Sequence, residues 1–372
     1  MNFIPVNTPL LDGNEKKYLN ECIDTGWISS EGPFVKQLEE GMAAYVGRKY
    51  GIAVSNGSVA LDLCIEALEL EPGDEVIMPT FTIISCAAAL VRNGIKPVLV
   101  DSDPLTWNMD VTQIEDKITR KTKAIMVVHI YGLPVDMDVV NDIADRYNLY
   151  IIEDAAEAHG LEYRKKKCGS FGTITAMSFY PNKHITTGEG GMVLTDDEKL
   201  RSRCESLRNL CHKPGMRFHH EELGHNFRMS NIQAAIGVAQ LERIEQHLEL
   251  KRKLGEHYIE LLKDVEGIQI PVRRTEYADN IFWVFGIVLD RKSELDASEV
   301  MSRLSERGIG CRPFFWPMHL QPVFIREGLF VNEKYPVAER LSKYGFYVPS
   351  GLTVDEHQRE YVSKQIRNVL GY

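Results

Sequence analysis

Short, largely apolar runs constrain this chain most. Segments 124–128, 150–152 and 176–179 are each bounded by polar residues or glycine. A strand with one wet face alternates polar and apolar residues. A short, largely apolar run without that alternation fits a strand buried on both faces of a mainly parallel sheet. Between the first two runs, 136–147 reads as a helix with Asp136 near its start. Alternation of this kind predicts an α/β doubly wound core.

Nearer the front, 59–68 is an apolar-rich helical pattern that Ser58 is placed to cap, and 71–74 forms a turn. From 231 to 262 the chain turns strongly helical. It then shows a strand-like run at 281–289, a helix-like one at 297–307, and a strand-like stretch ending in Arg312-Pro313-Phe314. This predicts a large domain over 1–245 and a smaller C-terminal α+β domain over 246–372.

The balance of 43 Lys+Arg against 53 Asp+Glu gives a net charge of −10 over 372 residues. An acidic chain without a basic tail is a poor general nucleic-acid binder. No stretch approaches the ~20 apolar residues of a membrane-spanning helix. The first residues lack the basic and apolar regions of a signal peptide. Seven scattered Cys with no C-x-x-C read as reduced thiols. The expectation is a soluble cytoplasmic protein with no nucleic-acid or membrane partner and no metal.

Two local patterns carry chemistry. Asp154 follows the run at 150–152, at the carboxyl edge of a parallel sheet, where ligands bind. The plainer reading of Asp154 is a helix N-cap. Ser178 leaves the sheet at the same edge, Lys183 follows five residues on, and a Gly-rich turn closes at Gly191. That turn matches neither G-x-G-x-x-G nor the P-loop pattern. A Lys and an Asp on neighbouring strand ends suit pyridoxal phosphate. The amine bonds the aldehyde, and the carboxylate keeps the pyridine nitrogen protonated so that the ring is an electron sink. Gly57-Ser58 opening a helix supplies N–H groups for the phosphate, and Ser178 a hydroxyl.

Five segments in order then resemble the DegT/DnrJ/EryC1/StrS sugar aminotransferases of fold-type I. They are SNGSVAL at 55–61, GDEVIMPT at 73–80, EDAAEAHG at 153–160, SFYPNKHITTGEGG at 178–191 and NFRMSN at 226–231. The resemblance implies that Lys183 carries the cofactor and shuttles the proton, and that Asp154 holds the pyridine nitrogen. Glu157 approaches the ring hydroxyl, and Gly57, Ser58 and Ser178 cradle the phosphate. Asn226 reaches the phosphate of the other subunit, which makes the expected assembly a homodimer with shared active sites. The Ala-rich stretch at 234–237 suits close helix packing there. Many relatives stack an aromatic on the ring where this chain has Ile83, so stacking is aliphatic or falls to Phe81. Others replace the lysine by His and are dehydratases; here His184 is the next residue, and the Ser178 spacing selects Lys183.

The loop DTGWISSEGP at 24–33, with Trp27 and Ser29, resembles the family's sugar-side loop. DSD at 101–103, TWNM at 106–109, His220 and RPFFWPMH at 312–319 resemble the perosamine-forming subgroup. Arg228, Arg312 and His319 are the remaining substrate candidates; Arg312 suits a diphosphate. Lys213, Arg217, His219 and His220 form a basic stretch before Asn226. His129 reads as a satisfied core residue. The implied reaction moves the amino group of L-glutamate to C4 of a nucleotide-linked 4-keto-6-deoxy sugar, GDP-4-keto-6-deoxy-D-mannose. UDP- or dTDP-linked keto sugars are the alternative. A non-catalytic regulator would lack Lys183 or Asp154, and both are present.

Overall fold

In the computed structural model, which describes residues 3–213, 215–290 and 294–372, the apolar runs form the middle of a seven-stranded sheet. Its strands are β1 (Tyr50–Val54), β2 (Glu75–Pro79), β3 (Lys96–Val100), β4 (Thr122–Val128), β5 (Tyr150–Asp154), β6 (Ile174–Ser178) and β7 (Gly191–Thr195). Their order across the sheet is β1-β7-β6-β5-β4-β2-β3. Neighbours from β6 to β3 are parallel. Only β7 is reversed, pairing antiparallel with both β6 and β1. β1, β4, β5 and β6 therefore all end at one edge. Helices such as Gly57–Ala67 and Met137–Tyr147 cover the faces, which is why strand residues such as Ile125, Ile152 and Met177 are fully buried.

The cap of the helix Gly57–Ala67 differs from expectation. Asn56 is the cap, its side-chain oxygen accepting from the Val59 N–H at 3.1 Å. The helix begins one residue too early for Ser58 to do this, and the Ser58 hydroxyl instead meets Ser85 Oγ at 2.8 Å. The helical stretch at 231–262 is two helices, Asn231–Leu241 and Ile244–Leu262. The first is opened by a Ser230/Gln233 capping box. Its small residues pack inside the chain: a Cβ on Gly237 would stand 2.8 Å from Leu38.

A second sheet holds β8 (Ile268–Gln269), β9 (Phe285–Leu289), β10 (Arg312–Pro313) and β11 (Gly345–Val348), ordered β8-β9-β11-β10 and antiparallel throughout. Residues 281–284 lead into β9 rather than extend it, because Phe282 has left-handed backbone with φ 49°. The helix Ile244–Leu262 serves both sheets. Ile244 and Leu248 pack with Met42 and Met177, whereas Leu254, Tyr258 and Leu262 pack with Phe285 and Phe346. Burying each of those leucines contributes about 1.5–3 kcal/mol. Ile4, bridged to Ile309, joins the second core, so the front of the chain also ties the two sheets.

Candidate active site

The common carboxyl edge opens into a cavity of about 930 Å³ lined by Gly57, Ser58, Asp154, Glu157, Ser178 and Lys183, among others. The parallel register explains the convergence, since β5 delivers Asp154 and its neighbour β6 delivers Ser178 at the same edge. The reversed β7 brings Gly191 opposite both Ser178 and Val54. There the backbone segments nearly touch. A Cβ on Gly57 would lie 2.6 Å from Ser178 Cβ, and one on Gly191 would lie 2.5 Å from the Asn56 carbonyl oxygen. Only glycine lets the helix start press so closely on the strand ends. The first N–H groups of that helix, which have no intrahelical acceptor, stay beside the cavity.

Asp154 is 2% exposed. Its Oδ1 accepts from the Ala156 N–H at 3.0 Å and its Oδ2 from the Cys86 thiol at 3.2 Å. Burial raises its pKa, against the pull of these donors and of Lys183. No helix follows it; residues 155–160 make two tight turns, so the N-cap reading is not realised. Those turns carry Glu157 over the same cavity. Its Oε2 accepts from the Tyr131 N–H at 2.8 Å, and its Oε1 lies 3.9 Å from Lys183 Nζ. Burial raises the Glu157 pKa, against Lys183 and the Tyr131 N–H. Burial lowers that of Lys183, against Glu157 and Asp154. Desolvation thus pushes the pair towards its neutral forms. The Lys183 amine also sits 3.9 Å from the centroid of the Trp283 ring.

Ile83, 42% exposed, lines this cavity. Phe81 is fully buried against Tyr131, Phe314 and Phe315 and is not part of the lining. His184 is buried with its ring 6.1 Å from His159, outside the lining. His129 is a satisfied core residue. Its Nε2 meets Glu153 Oε1 at 3.0 Å, and its Nδ1 accepts from the Val135 N–H at 3.2 Å.

Most substrate candidates lie elsewhere in the chain. Ser29 and Arg228 line a second cavity, also about 930 Å³, with Arg208 and Lys213. Asn226 is exposed beside it, bridged to Asn209. Trp27 is half exposed and its carbonyl accepts from Asn231. His220 sits on the exposed strand Met216–His220 with Nδ1 donating to the Leu210 carbonyl at 2.7 Å; the Arg217 side chain lies outside the described residues. Arg312 is exposed on β10 opposite Tyr347, which lines the Lys183 cavity. His319 is 2% exposed, and its ring nitrogens are engaged by Thr80 Oγ1 at 2.9 Å and Glu339 at 3.2 Å. Trp283 and Tyr347 line the cavity and Cys86 bonds Asp154, and no local pattern flagged them; Phe315, also in the lining, had a signal in the segment 312–319. Among the described residues no helix is long and apolar enough to cross a membrane.

A family model described as the DegT/DnrJ/EryC1/StrS aminotransferase family matches residues 9–367. The chain is 40% identical over 366 residues to the GDP-perosamine synthase of Escherichia coli O157:H7, covering 98% of both chains. It is 42% identical over 352 residues to the GDP-perosamine synthase of Caulobacter vibrioides, covering 94% of both. Among solved structures, S. venezuelae DesV superposes with a TM-score of 0.89 at 31% identity, covering 96% of this chain and 95% of that one. With a lysine and two acids gathered at one sheet edge in a chain matched almost end to end, this protein belongs to the DegT/DnrJ/EryC1/StrS aminotransferase family.

Proposed function

We propose that the Lys183 cavity binds pyridoxal 5′-phosphate and transfers the amino group of L-glutamate to C4 of GDP-4-keto-6-deoxy-D-mannose, giving GDP-perosamine. One observation carries the cofactor reading: a largely enclosed amine and a buried carboxylate line one cavity together with Gly57, where any Cβ would strike Ser178. Asp154 fits the pyridine nitrogen, because its buried Oδ2 has only a thiol for a partner and gains from a cationic N–H. Gly57, Ser58 and Ser178 would hold the phosphate, Glu157 would meet the ring hydroxyl, and Ile83 would lie on the ring face. The aldehyde carbon would be bonded to Lys183. When bound, the cofactor supplies an electron sink that makes the donor's Cα–H acidic.

The chain's own part is proton transfer and positioning. Lys183 takes the proton from the donor carbon and later delivers one to the sugar carbon, acting as base and then as acid. Burial favours the neutral amine that the first step needs. The GDP-sugar reading rests on the relatives' shared name at about 40% identity over nearly the whole chain. We further propose a homodimer in which Asn226 reaches the partner's phosphate site. Trp27, Ser29, His220 and Arg228 would serve the partner's sugar nucleotide. The domain division proposed near residue 245 falls at the start of the helix that both cores share.

The test is turnover of the purified, cofactor-loaded protein with glutamate and GDP-, UDP- and dTDP-linked 4-keto-6-deoxy sugars. The GDP sugar should give the highest kcat/KM and a 4-amino product by mass spectrometry. A higher value with a UDP or dTDP sugar overturns the perosamine assignment alone. No amino sugar from any of them overturns the whole reading.

A further inference from the structure

Lys251 is a buried amine whose pKa burial lowers to about 7, and among the described residues it has no carboxylate as a hydrogen-bond partner. It lies on the helix Ile244–Leu262 and is 3% exposed. Its amine donates to the Trp283 carbonyl at 2.7 Å and to the Ser350 carbonyl. Burying a lysine amine this deeply is costly unless it does something specific. The surroundings of Trp283 indicate what. The preceding Phe282 is held at φ 49°, a conformation bulky residues avoid. Gly132 approaches so closely that a Cβ there would lie 2.6 Å from the Trp283 nitrogen. The indole Nε1 donates to the carbonyl of Asn182, the residue before Lys183, at 2.8 Å. Four constraints thus converge on Trp283, three on the backbone at or next to it and one on its indole, and the ring face ends 3.9 Å from Lys183 Nζ.

We propose that Lys251 is a positioning residue: by donating to the Trp283 carbonyl it holds the indole face against the Lys183 amine. This rests on the reading of Lys183 as the residue that moves the proton. An indole face attracts a cation within about 6 Å of its centroid, so it favours the charged amine. Burial favours the neutral one. The indole offsets part of the burial effect and keeps the amine able to act as acid in the second half of the cycle as well as base in the first. The other ionisable groups acting on Lys183 are Glu157 and Asp154, which also favour its charged form. His184 feels both lysines.

The experiment is competitive acetylation of the full chain, freed of cofactor, with acetic anhydride across a pH series. Peptide mass spectrometry gives the titration midpoint of Lys183. Lys251→Met and Trp283→Leu should each lower it by about half a pH unit or more. The double variant should lower it no further, since both changes remove the same contact. An unmoved midpoint in Lys251→Met, even with a lower Tm, makes Lys251 merely structural and overturns the proposal. A raised midpoint means that its charge acts directly on Lys183, and overturns it too. If Lys251→Met does not fold, Lys251→Gln takes its place, because its amide falls about a bond length short of the Trp283 carbonyl. A lowered midpoint there supports the proposal and an unmoved one overturns it. The visible chromophore of the loaded wild-type protein reports the cofactor reading separately, so a failure of that reading leaves the labelling result standing.

Discussion

Gly57 and Ser178 stand so close that a single methyl group at 57 would lie 2.6 Å from the serine Cβ. The contact joins the start of a helix to the end of β6, the two elements that form the cradle beside Lys183. Gly57→Ala must push them apart. Overpacking of this sort costs about 1–3 kcal/mol. The expected outcome is a modest drop in Tm and a larger loss of pyridoxal phosphate affinity, measured by equilibrium dialysis. An alanine variant that binds the cofactor as tightly as wild type would place the phosphate elsewhere.

Lys183 should be the residue that bonds the cofactor. Borohydride reduction of the loaded protein, followed by peptide mapping, should place pyridoxyl on Lys183. Lys183→Ala should lose at least about 10²–10⁴ in turnover, as expected for loss of a positioned acid–base group. Asp154→Asn should keep the fold but weaken cofactor binding, because an amide cannot supply the charge that the pyridine nitrogen needs. Pyridoxyl found on another lysine sinks the assignment.

Glu153, next to Asp154 but on the opposite face of β5, makes a stability prediction. Burial alone would raise its pKa. The His129 side chain and the N–H groups of Gly169 and Gly172 outweigh that and hold it down at about 2. In the unfolded chain it titrates near about 4.3. A depressed carboxylate contributes stability above the unfolded value and loses it as pH falls towards the folded one. Stability should therefore fall on acidification from about pH 4.3 to about pH 2. Glu153→Gln turns an NH₂ group towards backbone donors, should cost about 3–5 kcal/mol at neutral pH and should flatten that acid limb. Urea unfolding at several pH values checks both.

The central strands were legible because helices cover both sheet faces, which leaves largely apolar runs in the sequence. Asp154 and Lys183 were legible because each is tied to a strand end by a local pattern. Trp283 was not: its place depends on a left-handed Phe282, on Gly132 and on Lys251, all brought together by packing across distant segments. The burial of His319 was not legible for the same reason. Its partners Thr80 and Glu339 come from other elements, and nothing near it in the sequence announces them. The helix at 231–262 hid its break at Glu242-Arg243, since both residues are good helix formers.

Arg312 is the residue on which substrate recognition in the Lys183 cavity can be tested most cleanly. It is exposed on β10, and among the described residues its Nη1 donates to the adjacent Cys311 carbonyl at 3.2 Å and its other donors have no hydrogen-bond partner. Its strand partner Tyr347 lines the cavity, and the guanidinium charge opposes the burial that raises the tyrosine's pKa. A diphosphate approaching that rim in a protein of net charge −10 needs such a cation. Removing one charge-assisted contact costs about 1.5–3 kcal/mol, or roughly tenfold to a hundredfold in affinity, and less where water screens it. Arg312→Ala should therefore raise KM for the sugar nucleotide about tenfold and leave the glutamate half-reaction, followed by stopped-flow absorbance, nearly unchanged. Raising the salt concentration should weaken wild type towards the variant. Equal damage to both half-reactions would instead mean that Arg312 binds glutamate or supports β10.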